Sequence, residues 1–191
     1  TFAKGIEFLR TNAGHDNWFL QIENFDPHEP YFVPDRFLEL YEKIDGPLFD
    51  WPPYTSVTQA PEQVRHIRIR NAALVSMCDE YLGQVLDVMD EQNLWSDTML
   101  IVNTDHGFLL GEHDCWAKCW CPWYEENAHT PLFVWDPRSG VAGRRRQSLV
   151  QTIDLAPTIL DFFGIAPTAD MQGRPLARTV LDDTPVREAG L

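Results

Sequence analysis

The sequence predicts an α/β domain in which helices cover a mostly parallel sheet. Apolar residues recur at three- and four-residue intervals from Glu62 to Asn93, which is typical of a long amphipathic helix. That helix leads into the continuous apolar run TMLIVNT at 98–104, and PLFVW at 131–135 is a second such run. Apolar strands that follow helices in this way are typical of a parallel sheet that is buried on both faces.

The remaining elements are predicted from local signals along the chain. Residues 1–13 carry helical apolar spacing, and NWFLQIEN at 17–24 predicts a buried strand that runs into the proline-rich loop FDPHEPYFVP. DRFLELYEKI at 35–44 predicts a short helix, whereas the prolines of 46–61 predict an irregular surface segment.

The last predicted element is the helix formed by LAPTILDFF. Asp154 precedes it as a candidate N-cap, and Gly164 follows it as a stop signal. Three strands are few for a sheet covered on both faces, and the chain begins with helical spacing and no Met. The sequence is therefore interpreted as part of a larger domain whose other strands lie elsewhere.

Composition excludes several classes of partner. The chain has 191 residues, of which 44% are hydrophobic, and a formal net charge of -14. A nucleic-acid surface or an anionic membrane surface needs a basic field, which this chain lacks. No run approaches the ~20 apolar residues of a membrane span. The chain is expected to be soluble, with no indication of its compartment or oligomeric state.

Polar side chains follow the predicted strand at 98–104. Asp105 and His106 come directly after it, and Gly107 lets the backbone turn away. Ligands of α/β sheets gather outside the carboxyl ends of the strands, and a carboxylate oxygen beside an imidazole nitrogen suits a divalent cation. The tripeptide also fits an aspartate that caps a turn, so both interpretations stay open at this point.

Three more side chains fit a site for a tetrahedral oxyanion. His113 and Lys118 follow in the same segment, and His28 lies between two prolines in the loop after the first predicted strand. Such groups can neutralise charge on oxyanion oxygens and protonate a leaving alcohol. We expect them to gather around the candidate metal.

The cysteines are interpreted as free or buried thiols. The C-x3-C-x-C spacing of Cys115, Cys119 and Cys121 lacks the C-x2-C pair typical of zinc sites. With Cys78 the four cysteines form no recognisable disulfide framework.

Taken together, these motifs resemble the sulfatase family of the alkaline-phosphatase-like superfamily. The similar segments are WFLQIENFDPHEPY, NTDHGFLLGEHDCWAKCWCPWYEENAHTPLFVW and SLVQTIDLAPTILDFFGI, in that order from Asn17 to Leu176. The resemblance implies a three-layer α/β/α sandwich, present here as a partial domain. It implies that residues 1–191 are the later part of the catalytic domain, without the N-terminal nucleophile segment or the small C-terminal subdomain.

The resemblance also implies roles for particular residues. Asp105 and His106 would bind the divalent metal, which is usually calcium in sulfatases. Lys118 and His28 would contact the sulfate and assist departure of the alcohol, with His113 close by. Many sulfatases have Asn at the position of His106. Relatives with His include phosphonate and phosphodiester hydrolases that use manganese or zinc.

The nucleophile of the family is missing from this chain. It is a formylglycine formed from Cys or Ser in a C/S-x-P-S-R motif, and no Cys or Ser here is followed by x-Pro-Ser-Arg. The resemblance implies sulfuric ester hydrolysis by the parent protein, with the chain alone inactive. The substrate would be a sulfated small molecule or carbohydrate. A phosphonate monoester or phosphodiester hydrolase and a catalytically silent binding module remain alternatives.

Overall fold

The computed structural model describes residues 1–43 and 45–190, which form two compact units. The first unit comprises Thr1–Gln92 and His106–Thr130, and the second comprises Asn93–Asp105 and Pro131–Leu191. Within the described ranges, no helix has both the length and the apolar character that crossing a membrane requires.

Both units contain helices. The first unit contains α1, α2, α3 and α4, and the second contains α5 and α6. Their bounds are α1 Phe2–Asn12, α2 Asp35–Leu38, α3 Pro61–Glu91, α4 Glu125–Ala128, α5 Leu155–Phe162 and α6 Ala177–Asp182.

The long helix predicted from periodicity is α3, an uninterrupted helix of 31 residues. Pro61 occupies its first position, where a missing N–H costs nothing, and the Ala60 N–H donates to Gln63 Oε1 at 3.3 Å. The left-handed backbone of Asn93, with φ of 56°, follows its end. The helix predicted for 35–44 is shorter than expected, since α2 ends at Leu38 and Ile44 lies outside the described residues.

The core of the first unit forms where α3 packs against two loop segments. Buried side chains from 31–37, from α3 and from 116–117 pack together. They are Tyr31, Val33, Phe37, Ile67, Ala73, Leu74, Trp116 and Ala117. This core anchors both the loop after His28 and the segment before Lys118, so it positions two of the predicted site residues.

The strands of the structure pair in two short ladders. In the second unit, β1 (Leu100–Asn103) pairs with β4 (Leu132–Trp135), with Leu100 opposite Trp135. In the first unit, β2 (Leu109–Leu110) pairs with β3 (Trp116–Ala117). The strands predicted at 98–104 and 131–135 are thus confirmed. Both ladders run antiparallel, so no parallel pair occurs among the described residues.

The strand predicted at 17–24 is not formed. This segment has no strand pairing among the described residues, and its side chains alternate between exposed and half-buried. Apolar and aromatic residues favour an extended backbone, but a strand also needs a partner for its N–H and C=O groups. The composition of the segment alone cannot supply that partner.

The helix predicted from LAPTILDFF is α5, and Gly164 ends it with a φ of 69°. Asp154 precedes it, but its side chain makes no cap hydrogen bond to α5. The fully buried carboxylate instead accepts the N–H groups of Gln151 (2.8 Å) and Arg174 (2.9 Å), and it pairs with the guanidinium of Arg187. Asp154 therefore ties distant segments of the second unit together.

Candidate functional site

The structure brings two of the predicted site residues into direct contact. Lys118 Nζ lies 2.8 Å from His28 Nε2, and both residues belong to the first unit. The His28 side chain is 34% exposed, so a ligand can reach it from solvent. An ammonium and an imidazole at this distance form a compact, partly hydrated cationic pair, which is suited to an oxyanion and to proton transfer.

His28 is held by its own loop. Its backbone N–H donates to the Phe25 carbonyl at 3.2 Å, and the Phe25 ring lies 4.4 Å from the imidazole, centroid to centroid. Downstream, the Tyr31 N–H donates to Asp50 O at 2.7 Å, and the Tyr31 side chain is fully buried. The loop is thus anchored on both sides of the histidine.

Lys118 follows a buried segment. Trp116 and Ala117 are fully buried, and Trp116 Nε1 donates to Gln59 Oε1 at 2.7 Å. Ala117 has a φ of 73°, a left-handed conformation that non-glycine residues rarely adopt. The backbone therefore turns at Ala117, immediately before the lysine.

Two residues that the sequence did not single out complete this cluster. Glu29 is only 4% exposed, and its Oε1 accepts the Tyr54 hydroxyl at 2.5 Å. Its Oε2 lies 3.1 Å from His28 Nδ1. Burial, followed by the hydrogen bond to the Glu29 carboxylate, raises the pKa of Tyr54 above its ordinary value. The only sequence signal for Glu29 is its position next to His28.

His113 has well-defined partners of its own. Its ring stacks on Tyr124 with centroids 3.8 Å apart, and its Nε2 lies 3.2 Å from Glu126 Oε2. His113 and Asp114 both have left-handed backbones, with φ of 54° and 55°. These contacts fix the orientation of the His113 ring. They do not test a catalytic role for His113, which stays a prediction.

The two predicted metal ligands are consecutive in the chain after β1. Asp105 closes the first segment of the second unit, and His106 opens the second segment of the first unit. His106 Nδ1 lies 2.9 Å from Gly107 O, so Nδ1 carries the hydrogen, and a neutral His106 has its lone pair on Nε2. In metal-binding histidines, the ring nitrogen that does not bind the metal usually donates to a carbonyl or carboxylate in this way.

The donor types therefore fit a divalent cation, but the described residues do not complete its coordination. Across 1–43 and 45–190, no group of three or more His, Cys, Asp or Glu side chains is placed to hold a metal ion. Asp105 and His106 would provide two ligands at most, and their role stays a prediction. The four cysteines are free thiols.

Comparison with protein families and curated proteins gives one consistent result. The family model described as Sulfatase matches residues 1–165. Choline-sulfatase of Rhizobium meliloti is 28% identical over 167 residues, which cover 78% of this chain and 32% of that enzyme. N-acetylglucosamine-6-O-sulfatase of Bacteroides thetaiotaomicron is 34% identical over 104 residues, which cover 54% of this chain and 18% of that enzyme. The chain thus spans about a third or less of these two relatives.

Solved structures show the same fold. The phosphonate monoester hydrolase of Silicibacter pomeroyi superposes on 98% of this chain and 42% of its own chain, with a TM-score of 0.83 and 22% identity. The predicted fold class is confirmed: the chain is a partial α/β domain of the alkaline-phosphatase-like class. The parallel pairing expected for that class is not found between strands of the described residues.

Proposed function

Because this chain belongs to the sulfatase family, we propose that it is the later part of a catalytic domain that hydrolyses sulfuric esters. The contact between His28 and Lys118 carries the proposal. Two basic groups from loops 90 residues apart meet at 2.8 Å and remain partly accessible, as a site for a sulfate group requires.

The pair would act on the charge that develops during ester cleavage. The Lys118 ammonium would neutralise negative charge on a sulfate oxygen and then donate a proton to the departing alcohol oxygen as the S–O bond breaks. His28 would orient the ammonium through Nε2. His113, held by Tyr124 and Glu126, would border the substrate. The substrate class is a sulfated small molecule or carbohydrate.

Asp105 and His106 would contribute a carboxylate oxygen and an imidazole nitrogen to a divalent cation. Calcium is the proposed ion, and manganese and zinc are the alternatives. When bound, the cation would withdraw charge from the sulfate oxygens. The proposed nucleophile is a formylglycine outside these 191 residues.

A second candidate is hydrolysis of phosphonate monoesters or phosphodiesters. His106 favours it, because the resemblance places Asn at this position in many sulfatases. Both reactions need a cationic pair beside a tetrahedral oxyanion, so the His28–Lys118 contact serves either. A catalytically silent binding module would retain the pair without turnover.

The test is hydrolysis of an aryl sulfate and an aryl phosphonate monoester by the intact protein. We expect faster turnover of the sulfate, and Lys118→Ala should lower kcat on the order of 10²–10⁴-fold. Lys4→Ala is the control, because Lys4 is exposed and forms an ion pair with its helix neighbour Glu7. Faster turnover of the phosphonate would favour the second candidate, and turnover of neither ester would favour the silent module. Unchanged kcat in Lys118→Ala would contradict the assigned role.

The metal proposal has its own test. Asp105→Asn should lower the calcium, manganese or zinc content of the purified protein, measured by elemental analysis. Asp87→Asn, at an exposed position of α3, should leave the content unchanged. Equal metal content in the wild type and in Asp105→Asn would remove Asp105 from the ligand set.

A further inference from the structure

The hydrogen-bond partners of His28 determine which of its ring nitrogens carries the proton. Two oxygens approach Nδ1: the Glu29 carbonyl at 2.6 Å and the Glu29 carboxylate Oε2 at 3.1 Å. Neither a carbonyl nor a carboxylate oxygen has a hydrogen to give. Nδ1 must therefore be the donor.

The other ring nitrogen has the opposite neighbour. Nε2 faces Lys118 Nζ at 2.8 Å, and an ammonium has three hydrogens and no lone pair. Nε2 must therefore accept. The neighbours of both ring nitrogens are therefore consistent with one arrangement: a neutral imidazole carries its hydrogen on Nδ1, and its Nε2 accepts a hydrogen bond from the lysine.

Glu29 is buried in a way that stabilises this arrangement. Its side chain is 4% exposed, its Oε1 accepts from Tyr54, and its Oε2 has no hydrogen-bond partner within the described residues. Oε2 is nevertheless 3.1 Å from Nδ1, whose hydrogen is shared with the nearer carbonyl. A buried carboxylate oxygen without a full hydrogen bond is costly unless positive charge lies nearby. The imidazole–ammonium pair supplies that charge.

We infer that Glu29 is a positioning residue, which holds His28 in the Nδ1–H form so that Nε2 accepts a hydrogen bond from the Lys118 ammonium, the group that carries the proton for the leaving alcohol. Tyr54 supports it by fixing the carboxylate through Oε1. The inference rests on the proposed function for its link to ester cleavage. Glu29 itself would touch neither the substrate nor the reacting atoms, since it acts through the imidazole.

The tautomer is measurable without any substrate. Nitrogen-15 NMR of the intact protein with labelled histidine distinguishes protonated from unprotonated ring nitrogens, and His28→Gln identifies the His28 signals among the six histidines. At about neutral pH we expect a protonated Nδ1 and an unprotonated Nε2. The reverse assignment would overturn the inference. This result does not depend on which ester the protein hydrolyses, so a failure of the proposed function is seen separately, as absent turnover of sulfates.

Steady-state kinetics of Glu29→Gln test whether Glu29 affects proton donation to the leaving alcohol. Glu29→Gln should lower kcat for an alkyl sulfate on the order of tenfold with little change in KM, and it should lower kcat less for an aryl sulfate, because a poorer leaving group depends more on proton donation. Glu39→Gln, an exposed position, should change neither. Equal losses on both esters, or none, would contradict the assigned role.

Tyr54→Phe is a second variant that tests the inference even if Glu29→Gln fails to fold. Tyr54→Phe removes the hydroxyl that donates to Oε1 but leaves a side chain that is 43% exposed in the protein. It should shift the NMR tautomer populations and lower kcat on the alkyl sulfate in the same direction as Glu29→Gln, but less. Wild-type tautomer populations in both variants would overturn the inference.

Discussion

Lys118 Nζ and His28 Nε2 lie 2.8 Å apart although 90 positions separate the two residues in the chain. Each is carried by a segment anchored in the same core, since Tyr31 follows His28 and Trp116 precedes Lys118, and both are fully buried. The contact therefore depends on the packing of the first unit as well as on the two side chains. Substitutions of the two side chains should change catalysis, and substitutions in the surrounding packing should change stability.

The first prediction concerns energetic coupling between the two residues. His28→Ala and Lys118→Ala should each reduce kcat/KM, and the double variant should lose little more than the worse single variant, because the residues act as a unit. In contrast, His15→Ala, at an exposed position, should combine additively with Lys118→Ala. Full additivity of the His28 and Lys118 effects would show that the contact does not contribute to catalysis.

The second prediction concerns the backbone beside the candidate metal ligands. A Cβ on Gly107 would lie 1.7 Å from the Glu126 carbonyl oxygen, an overlap that requires backbone movement. Gly107→Ala should therefore lower the free energy of unfolding by at least about 2 kcal/mol, as measured by urea denaturation.

Gly83 provides the matched control within α3. No atom of the described residues lies within 4 Å of a Cβ added there, so Gly83→Ala should raise the stability by up to about 1 kcal/mol through better helix propensity. A stable Gly107→Ala variant would mean that the close approach to Glu126 is absent in solution.

The third prediction concerns the tryptophan that anchors the Lys118 segment. Trp116 is fully buried and donates to Gln59, so Trp116→Ala should cost about 3–5 kcal/mol of stability. Trp123 is 67% exposed, and Trp123→Ala should change stability by no more than about 0.5 kcal/mol. Similar melting temperatures for the two variants would contradict this placement of Trp116.

The fourth prediction concerns the reactivity of the free thiols. Burial, with a further contribution from the Asp26 charge, raises the pKa of Cys78 to about 11. A raised thiol pKa means that little thiolate exists at about pH 8 and that reactivity grows as the pH approaches the pKa. Iodoacetamide at about pH 8 should therefore label the exposed Cys119 before Cys78, as mapped by mass spectrometry.

The pH dependence of labelling distinguishes a low thiolate fraction from steric protection of the Cys78 thiol. Cys78 alkylation should accelerate on going to about pH 10 while the protein stays folded, because the thiolate fraction rises. Equal labelling of Cys78 and Cys119 at about pH 8 would show that Cys78 is not buried as described.

Local sequence patterns predicted the elements whose signals are periodic or continuous. The spacing of apolar residues located α3, and the apolar runs located β1 and β4. The extended run at 17–24 was predicted on equal grounds, but it forms no strand among the described residues. Periodicity reports which faces of an element are apolar, whereas strand formation also depends on a partner that can be far away in the chain or outside it.

The amino-acid sequence was sufficient to identify the family, because the Sulfatase model matches residues 1–165. It also predicted five site residues: His28, Lys118, His113, Asp105 and His106. The contact between His28 and Lys118, and the addition of Glu29 and Tyr54 to it, became visible only in the folded chain. The reason is physical: residue type specifies which hydrogens a side chain can donate or accept, but only the packed core determines which side chains meet.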